Sequence, residues 1–136
     1  MTISLTALAA YTGWTLLLLM ISIGYRGFMV LTAKRRANAW TRGRDPEDSP
    51  FFKRAADAYA NCLETAPLFA AVILLAHVSD QSSVTDGLAM LFVAARILQS
   101  VSHLISVNHW MVFLVRFPAF LAQVVLMVIW LLGLTL

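Results

Sequence analysis

This sequence has few charged residues. Only 12% of its 136 residues are Asp, Glu, Lys or Arg, while 60% are hydrophobic. Because soluble domains usually carry about a quarter charged residues, this composition excludes an ordinary soluble domain. The one cysteine, Cys62, excludes an intramolecular disulfide. At this length we expect a single domain, residues 1–136.

Several motifs of catalytic chemistry are also missing. No Cys and His residues have the spacing of metal ligands, so we predict no metal site. No serine lies in a nucleophile elbow or beside an evident base, and phosphate-binding loops are absent. These absences argue against a metal-dependent enzyme, a serine hydrolase and a nucleotide-binding protein.

The hydrophobic residues form four long runs, about 3–33, 51–78, 84–107 and 111–134. Each run meets the requirement of about 20 residues for a membrane-spanning helix. The first run has no small-residue cleavage site, so we interpret it as a retained span and not as a signal peptide. The predicted fold class is therefore an all-α integral membrane protein, a bundle of four transmembrane helices.

The linkers between these runs differ in charge. The long linker, residues 34–50, contains five basic residues, whereas the two short linkers contain no Lys or Arg. The positive-inside rule predicts that the long loop is cytoplasmic. Both termini then lie on the other side of a bacterial inner membrane or an organelle membrane. Anionic lipid headgroups account for the net charge of +3, so we expect no nucleic-acid partner.

Polar residues within the runs recur at spacings of three, four or seven residues, which places them on single helix faces. Charges inside spans are costly and tend to mark functional or pairing sites. At 1.5 Å per residue, they lie in the cytoplasmic half of the membrane or near its midplane. We therefore predict a polar cavity that opens towards the cytoplasm. The residues are Ser22 and Arg26; Arg54, Asp57, Asn61 and Glu64; Arg96, Gln99 and His103; and Arg116 and Gln123.

Other interpretations of these residues stay open. Arg26 and Arg54 could extend to the lipid headgroups, and Glu64 and Arg96 could form a structural ion pair at the midplane. His103 could lie at the membrane interface. Three tryptophans are expected to anchor the helices at the interface: Trp40, Trp110 and Trp130.

Two prolines fall inside the predicted spans. Pro67 and Pro118 each remove a backbone hydrogen bond and free a carbonyl four residues earlier, at Leu63 and Leu114. A bend beside polar residues suits a ligand site between helices, although a proline can equally adjust packing. The arginines suit a polyanionic small ligand held by bidentate contacts, and an opening to the membrane would admit an apolar second substrate.

The segment RAADAYANCLETAPLF, residues 54–69, resembles the second-helix signature of the membrane-associated proteins in eicosanoid and glutathione metabolism, the MAPEG family. This family includes microsomal glutathione transferases, leukotriene C and prostaglandin E synthases, and bacterial relatives. The signature is an asparagine, a glutamate three residues later and then a proline, matched by Asn61, Glu64 and Pro67. ARILQSVSHL resembles the family's arginine-led third helix, and Arg116 with FPAFLAQ resembles the start of its fourth.

The resemblance implies a homotrimer that binds glutathione as co-substrate between subunits, near the cytoplasmic side. Asn61 and Glu64 match family contacts to glutathione, with Glu64 at the glutamyl amine. Arg96 matches a third-helix contact and Arg26 is a looser match in the first helix. Arg116 corresponds to the catalytic arginine that stabilises the thiolate in several members.

Two positions depart from the family pattern. Asp57 stands where many members have an arginine, and Arg54, one turn earlier, is expected to take over that contact. His103 stands where many members have a tyrosine, and it too is expected to contact glutathione.

The expected function is that of a membrane-bound glutathione transferase or peroxidase acting on lipophilic electrophiles or lipid hydroperoxides. Its partners would be glutathione, the lipophilic substrate, membrane lipids and further copies of the chain. One alternative is a non-catalytic lipid-binding or scaffold protein of the same fold, because fold does not fix activity. Another is a small multidrug transporter, but its characteristic acid is absent from the first span.

Overall fold

The computed structural model describes residues 1–34, 36, 38, 50–105, 108, 110 and 112–136. Its helices are α1 (Ile3–Leu31), α2 (Pro50–Val78), α3 (Ser83–Ile105) and α4 (Phe117–Thr135), the last preceded by a π-helical segment, Val112–Arg116. Four spans are long and apolar enough to cross a membrane, which confirms the predicted all-α four-helix bundle. Most of the basic loop predicted for residues 34–50 lies outside the described residues.

Helices that are consecutive in the chain run antiparallel. Tyr11, early in α1, contacts Cys62 in the middle of α2, whereas Tyr25, late in α1, stacks on Phe52 at the start of α2. The short connection at residues 79–82 then turns the chain back into α3. Helix α3 packs against each of the other three helices, so the polar side chains of α3 are the ones best placed to organise a site.

The half of the bundle that contains the N-terminus of α3 has an aromatic core. The rings of Phe69 and Phe92 stack with their centroids 4.2 Å apart, and Trp130 lies 5.7 Å from Phe92. Tyr11 completes the cluster, 5.2 Å from Phe69. In a bilayer, where lipid tails are as apolar as leucine, such close packing is a main source of helix association.

The same end is fixed by a polar contact between α1 and α3. The Asp86 carboxylate accepts hydrogen bonds from both the backbone N–H and the hydroxyl of Ser4, and Ser4 also contacts the buried Thr85 hydroxyl. The first turn of a helix has backbone N–H groups without partners. Asp86 therefore satisfies one of these N–H groups in α1 and, in doing so, fixes α1 to α3.

One expectation from the sequence differs from the structure. Trp130 is only 1% exposed and lies within the aromatic core, so the prediction that it anchors the helix at the interface is wrong.

Pro118 lies inside the fourth span, Val112–Thr135, as predicted. It is the second residue of α4, and only Phe117 separates it from the π-helical segment. Proline cannot donate to the carbonyl of Leu114 and its ring crowds that carbonyl, which accounts for the wider turn at this point.

Candidate functional site

The centre of the bundle contains a buried arginine in a layer of polar side chains. Arg96 is 1% exposed and donates three hydrogen bonds to side chains of α2 and α4. Its Nη1 donates to Asn61 Oδ1 at 2.5 Å, its Nη2 to Thr65 Oγ1 at 3.0 Å and its Nε to Gln123 Oε1 at 2.9 Å. We call Arg96, Asn61, Thr65, Gln99 and Gln123 the polar layer.

All the recorded acceptors of Arg96 are neutral. The proposed alternative of a midplane ion pair with Glu64 is not seen among the residues that the structure describes. A buried charge is tolerated when hydrogen bonds replace its lost hydration. The amides and hydroxyl around Arg96 do this, so its first role is to join α2, α3 and α4.

The polar layer extends to α1 through a tyrosine. The hydroxyl of Tyr11 contacts Thr65 Oγ1 at 2.6 Å and donates to the backbone carbonyl of Cys62 at 2.5 Å. That carbonyl lies beside the one freed by Pro67 in the same helix. All four helices are therefore linked by hydrogen bonds at this depth. These hydrogen bonds fix the positions of the side chains that a ligand beside the polar layer would contact.

An open cleft of about 330 Å³ lies against one side of the polar layer, between α2, α3 and the start of α4. The volume falls within the range of small-molecule sites, about 300–1,000 Å³. Its apolar wall comes mainly from Phe117 and Phe120. Its polar lining consists of Asn61, Glu64, Gln99, His103 and Arg116.

Two basic side chains in the cleft contact each other directly. Arg116 Nη1 lies 2.8 Å from His103 Nδ1. Because a guanidinium can only donate, His103 Nδ1 is the acceptor and the imidazole is the neutral tautomer with its proton on Nε2. No other acceptor for Arg116 is found among the described residues, and Arg116 lines the cleft.

Glu64 is the middle residue of α2 and its side chain is exposed in the isolated chain. Within the part of the chain that the structure describes, no group hydrogen-bonds to its carboxylate or pairs with it. A carboxylate at this depth is costly in lipid and tends to mark a functional or pairing site. Glu64 lines the cleft next to Asn61.

The structure brings together some of the residues predicted from sequence and separates others. Asn61, Glu64, His103 and Arg116 line one cleft, whereas Arg96 lies behind Asn61 in the polar layer. Arg54 and Arg26 do not line it. Arg54 Nε donates to the carbonyl of Leu104 at 2.9 Å, in the last turn of α3, where carbonyls lack helical partners.

Sequence reasoning missed several members of this arrangement. Gln99 and Gln123 stood out only through their helical spacing from Arg96 and Arg116, and neither was assigned a role. Thr65 and Tyr11 carried no signal, because isolated hydroxyls in apolar spans are common and their partners lie on other helices.

The MAPEG family model matches residues 4–135, nearly the whole chain and every residue of the cleft. The chain belongs to the MAPEG family. No curated protein and no solved structure matches it. MAPEG members use glutathione, and the family includes glutathione transferases and peroxidases as well as non-enzymatic proteins.

Proposed function

We propose that this MAPEG protein is a membrane-bound glutathione transferase or peroxidase that acts on lipophilic electrophiles or lipid hydroperoxides. The observation that carries the proposal is the cleft itself. One side of it presents the carboxylate of Glu64, which has no partner among the described residues, and the other presents the guanidinium of Arg116. A ligand that bears both an amine and a negative charge, as glutathione does, suits these two groups.

The residues of the cleft fit the parts of glutathione. Glu64 would contact the glutamyl amine, and Asn61, one helical turn earlier, would contact a neighbouring oxygen. His103 holds Arg116 at the other side of the cleft and lines it as well. A contact from Arg26 or Arg54 would have to come from a neighbouring copy of the chain, because neither residue lines this cleft in its own subunit.

Arg116 would supply the electrostatic part of the reaction. A thiol is mostly protonated at neutral pH, and a nearby guanidinium favours the reactive thiolate. In conjugation, the thiolate sulfur attacks the electrophilic carbon, and the leaving group departs with its electron pair. The protein contributes position and charge, while glutathione contributes the nucleophile.

An apolar groove beside the cleft suits the lipophilic substrate. It has a volume of about 310 Å³ and runs between α2 and α4, lined by Leu68, Val72 and Met127 among others. Glu64 and Phe120 line both the groove and the polar cleft. A substrate tail in the groove would therefore lie next to bound glutathione.

We also propose that the chain acts as a homotrimer with both termini on the non-cytoplasmic side. The exposure of Glu64 at the middle of α2 supports assembly, because a second subunit would remove the carboxylate from lipid. Cross-linking in mild detergent should give trimers. A monomer by mass would contradict a site shared between subunits.

A thiol-conjugation assay with purified protein and a lipophilic aryl halide tests the proposed activity. The native protein should conjugate glutathione, and Arg116→Ala should lower kcat more than it raises the glutathione KM, since its contact is with the thiolate. The absorbance of bound thiolate near neutral pH should shrink in the same variant.

His77→Ala is the matched control, because His77 is exposed at the far end of α2 and lines none of the cleft. Its rates should equal those of the native protein. If the native protein binds lipid but conjugates no glutathione, the non-catalytic scaffold function replaces this proposal. The exposed Asp57, where many members have an arginine, is the residue that favours that alternative.

A further inference from the structure

Four side chains of the polar layer form a closed ring of hydrogen bonds. Arg96 donates to Asn61 Oδ1 and to Gln123 Oε1. Gln99 Nε2 donates to the same Asn61 oxygen at 3.0 Å, and Gln123 Nε2 donates to Gln99 Oε1 at 2.8 Å. The ring joins α2, α3 and α4 within the bundle.

The chemistry of arginine fixes the direction of every bond in this ring. A guanidinium has five N–H groups and no acceptor, so Asn61 and Gln123 must both turn their oxygens towards Arg96. The NH2 of Gln123 then faces Gln99, so the side-chain oxygen of Gln99 must accept its hydrogen bond. No amide in the ring can flip without placing two donors or two acceptors against each other.

The ring determines what Asn61 presents to the cleft. Its oxygen already accepts two hydrogen bonds, while its NH2 has no partner among the described residues. Among the described residues, the Nε1 of Trp14 is the only buried side-chain nitrogen or oxygen without a hydrogen-bond partner. The Asn61 NH2 also has no partner but is not in that class, so it is not fully buried. Since Asn61 lines the cleft, its NH2 is accessible there. Asn61 therefore meets a ligand as a donor.

We propose that Gln123 is a positioning residue, which acts through Gln99 and Arg96 to hold the Asn61 NH2 towards the cleft for a ligand oxygen. Gln123 is 0% exposed and does not line the cleft. A second bond, from its Nε2 to the Ala119 carbonyl at 3.0 Å, holds Gln123 itself in place. The ligand oxygen would belong to glutathione, so this part of the inference rests on the proposed function, whereas the orientation of Asn61 does not.

Two variants of Gln123 test the inference. Gln123→Met keeps the side-chain length and removes every bond of the ring that Gln123 makes. Gln123→Glu keeps an acceptor for Arg96 but offers Gln99 no N–H. Thr85→Val is the control. Thr85 is as deeply buried as Gln123, but it lies in the first turns of α3, away from the ring, and hydrogen-bonds to Ser4.

Two measurements are made on each folded variant in lipid nanodiscs. The first is the side-chain 15NH2 signal of Asn61 in asparagine-labelled protein without ligand, assigned with Asn61→Asp. The second is the glutathione dissociation constant. Both Gln123 variants should shift the Asn61 signal and weaken glutathione binding about three- to tenfold, the range of one ordinary hydrogen bond, while Thr85→Val should change neither.

An Asn61 signal that stays unchanged in both Gln123 variants would overturn the inference, whatever happens to binding. A shifted signal in a protein whose native form binds no glutathione would leave the positioning of Asn61 supported and remove the proposed function. A shifted signal with unchanged glutathione affinity would show that the donor does not contact the ligand, and it would contradict the inference.

Discussion

Replacing Arg96 by methionine should destabilise the bundle strongly, because one side chain joins α3 to both α2 and α4. The substitution removes three interhelical hydrogen bonds. Asn61 and Thr65 keep one partner each, in Gln99 and Tyr11. The Gln123 oxygen, which is fully buried, has no other recorded donor.

The size of the effect follows from the kind of bond. Interhelical hydrogen bonds in membrane proteins average about 0.6 kcal/mol, so three of them give a lower value of about 2 kcal/mol. Hydrogen bonds to charged groups are worth about 1.5–3 kcal/mol each, and the low end of that range gives about 4.5 kcal/mol for three of them. We expect the free energy of unfolding to decrease by about 2–4.5 kcal/mol.

Unfolding by SDS in mixed micelles, followed by circular dichroism, measures this free energy. Arg36→Met is the matched control, since the same side chain is removed from an exposed position outside the helices. Surface changes of this kind usually stay within about 0.5 kcal/mol. If Arg96→Met were as stable as Arg36→Met, the polar layer would not hold the helices together.

Three further predictions concern other parts of the molecule. His103→Phe removes the acceptor for Arg116; we expect kcat to fall several-fold in the conjugation assay with little change in glutathione affinity, and an equal loss of both would contradict a role through Arg116. Asp86→Ala removes the acceptor for the first turn of α1 and should cost about 1 kcal/mol of stability in the SDS assay, while glutathione binding stays intact. Single cysteines introduced within residues 34–50, in a Cys62→Ser background, should react only with a reagent on the cytoplasmic side; labelling from the other side would reverse the predicted topology.

The helices could be predicted from the sequence because their signal is local. Runs of apolar residues longer than about 20 have few alternatives to a membrane span, and the four runs are helices in the structure. The polar face of each helix could also be predicted, since residues three, four or seven apart share one side of a helix. Asn61, Glu64 and Arg116 do line one cleft.

The pairings across helices could not be predicted in the same way. Whether Arg96 meets Glu64 or Gln123 depends on the rotation and depth of α2 and α4 relative to α3, which spacing within one helix does not determine. Trp130 shows the same limit. A tryptophan near a helix end is typical of the membrane interface, but here the ring packs on Phe92 in the core.

Calorimetric titration of purified protein in nanodiscs measures the binding of glutathione to the cleft that contains Glu64. The native protein should bind glutathione, and Glu64→Gln should weaken binding about ten- to a hundredfold, because a charge-assisted contact worth about 1.5–3 kcal/mol becomes a neutral one. Circular dichroism should show that the variant remains folded. Equal affinities for the native protein and a folded Glu64→Gln variant, or no binding by either, would contradict a glutathione site at Glu64.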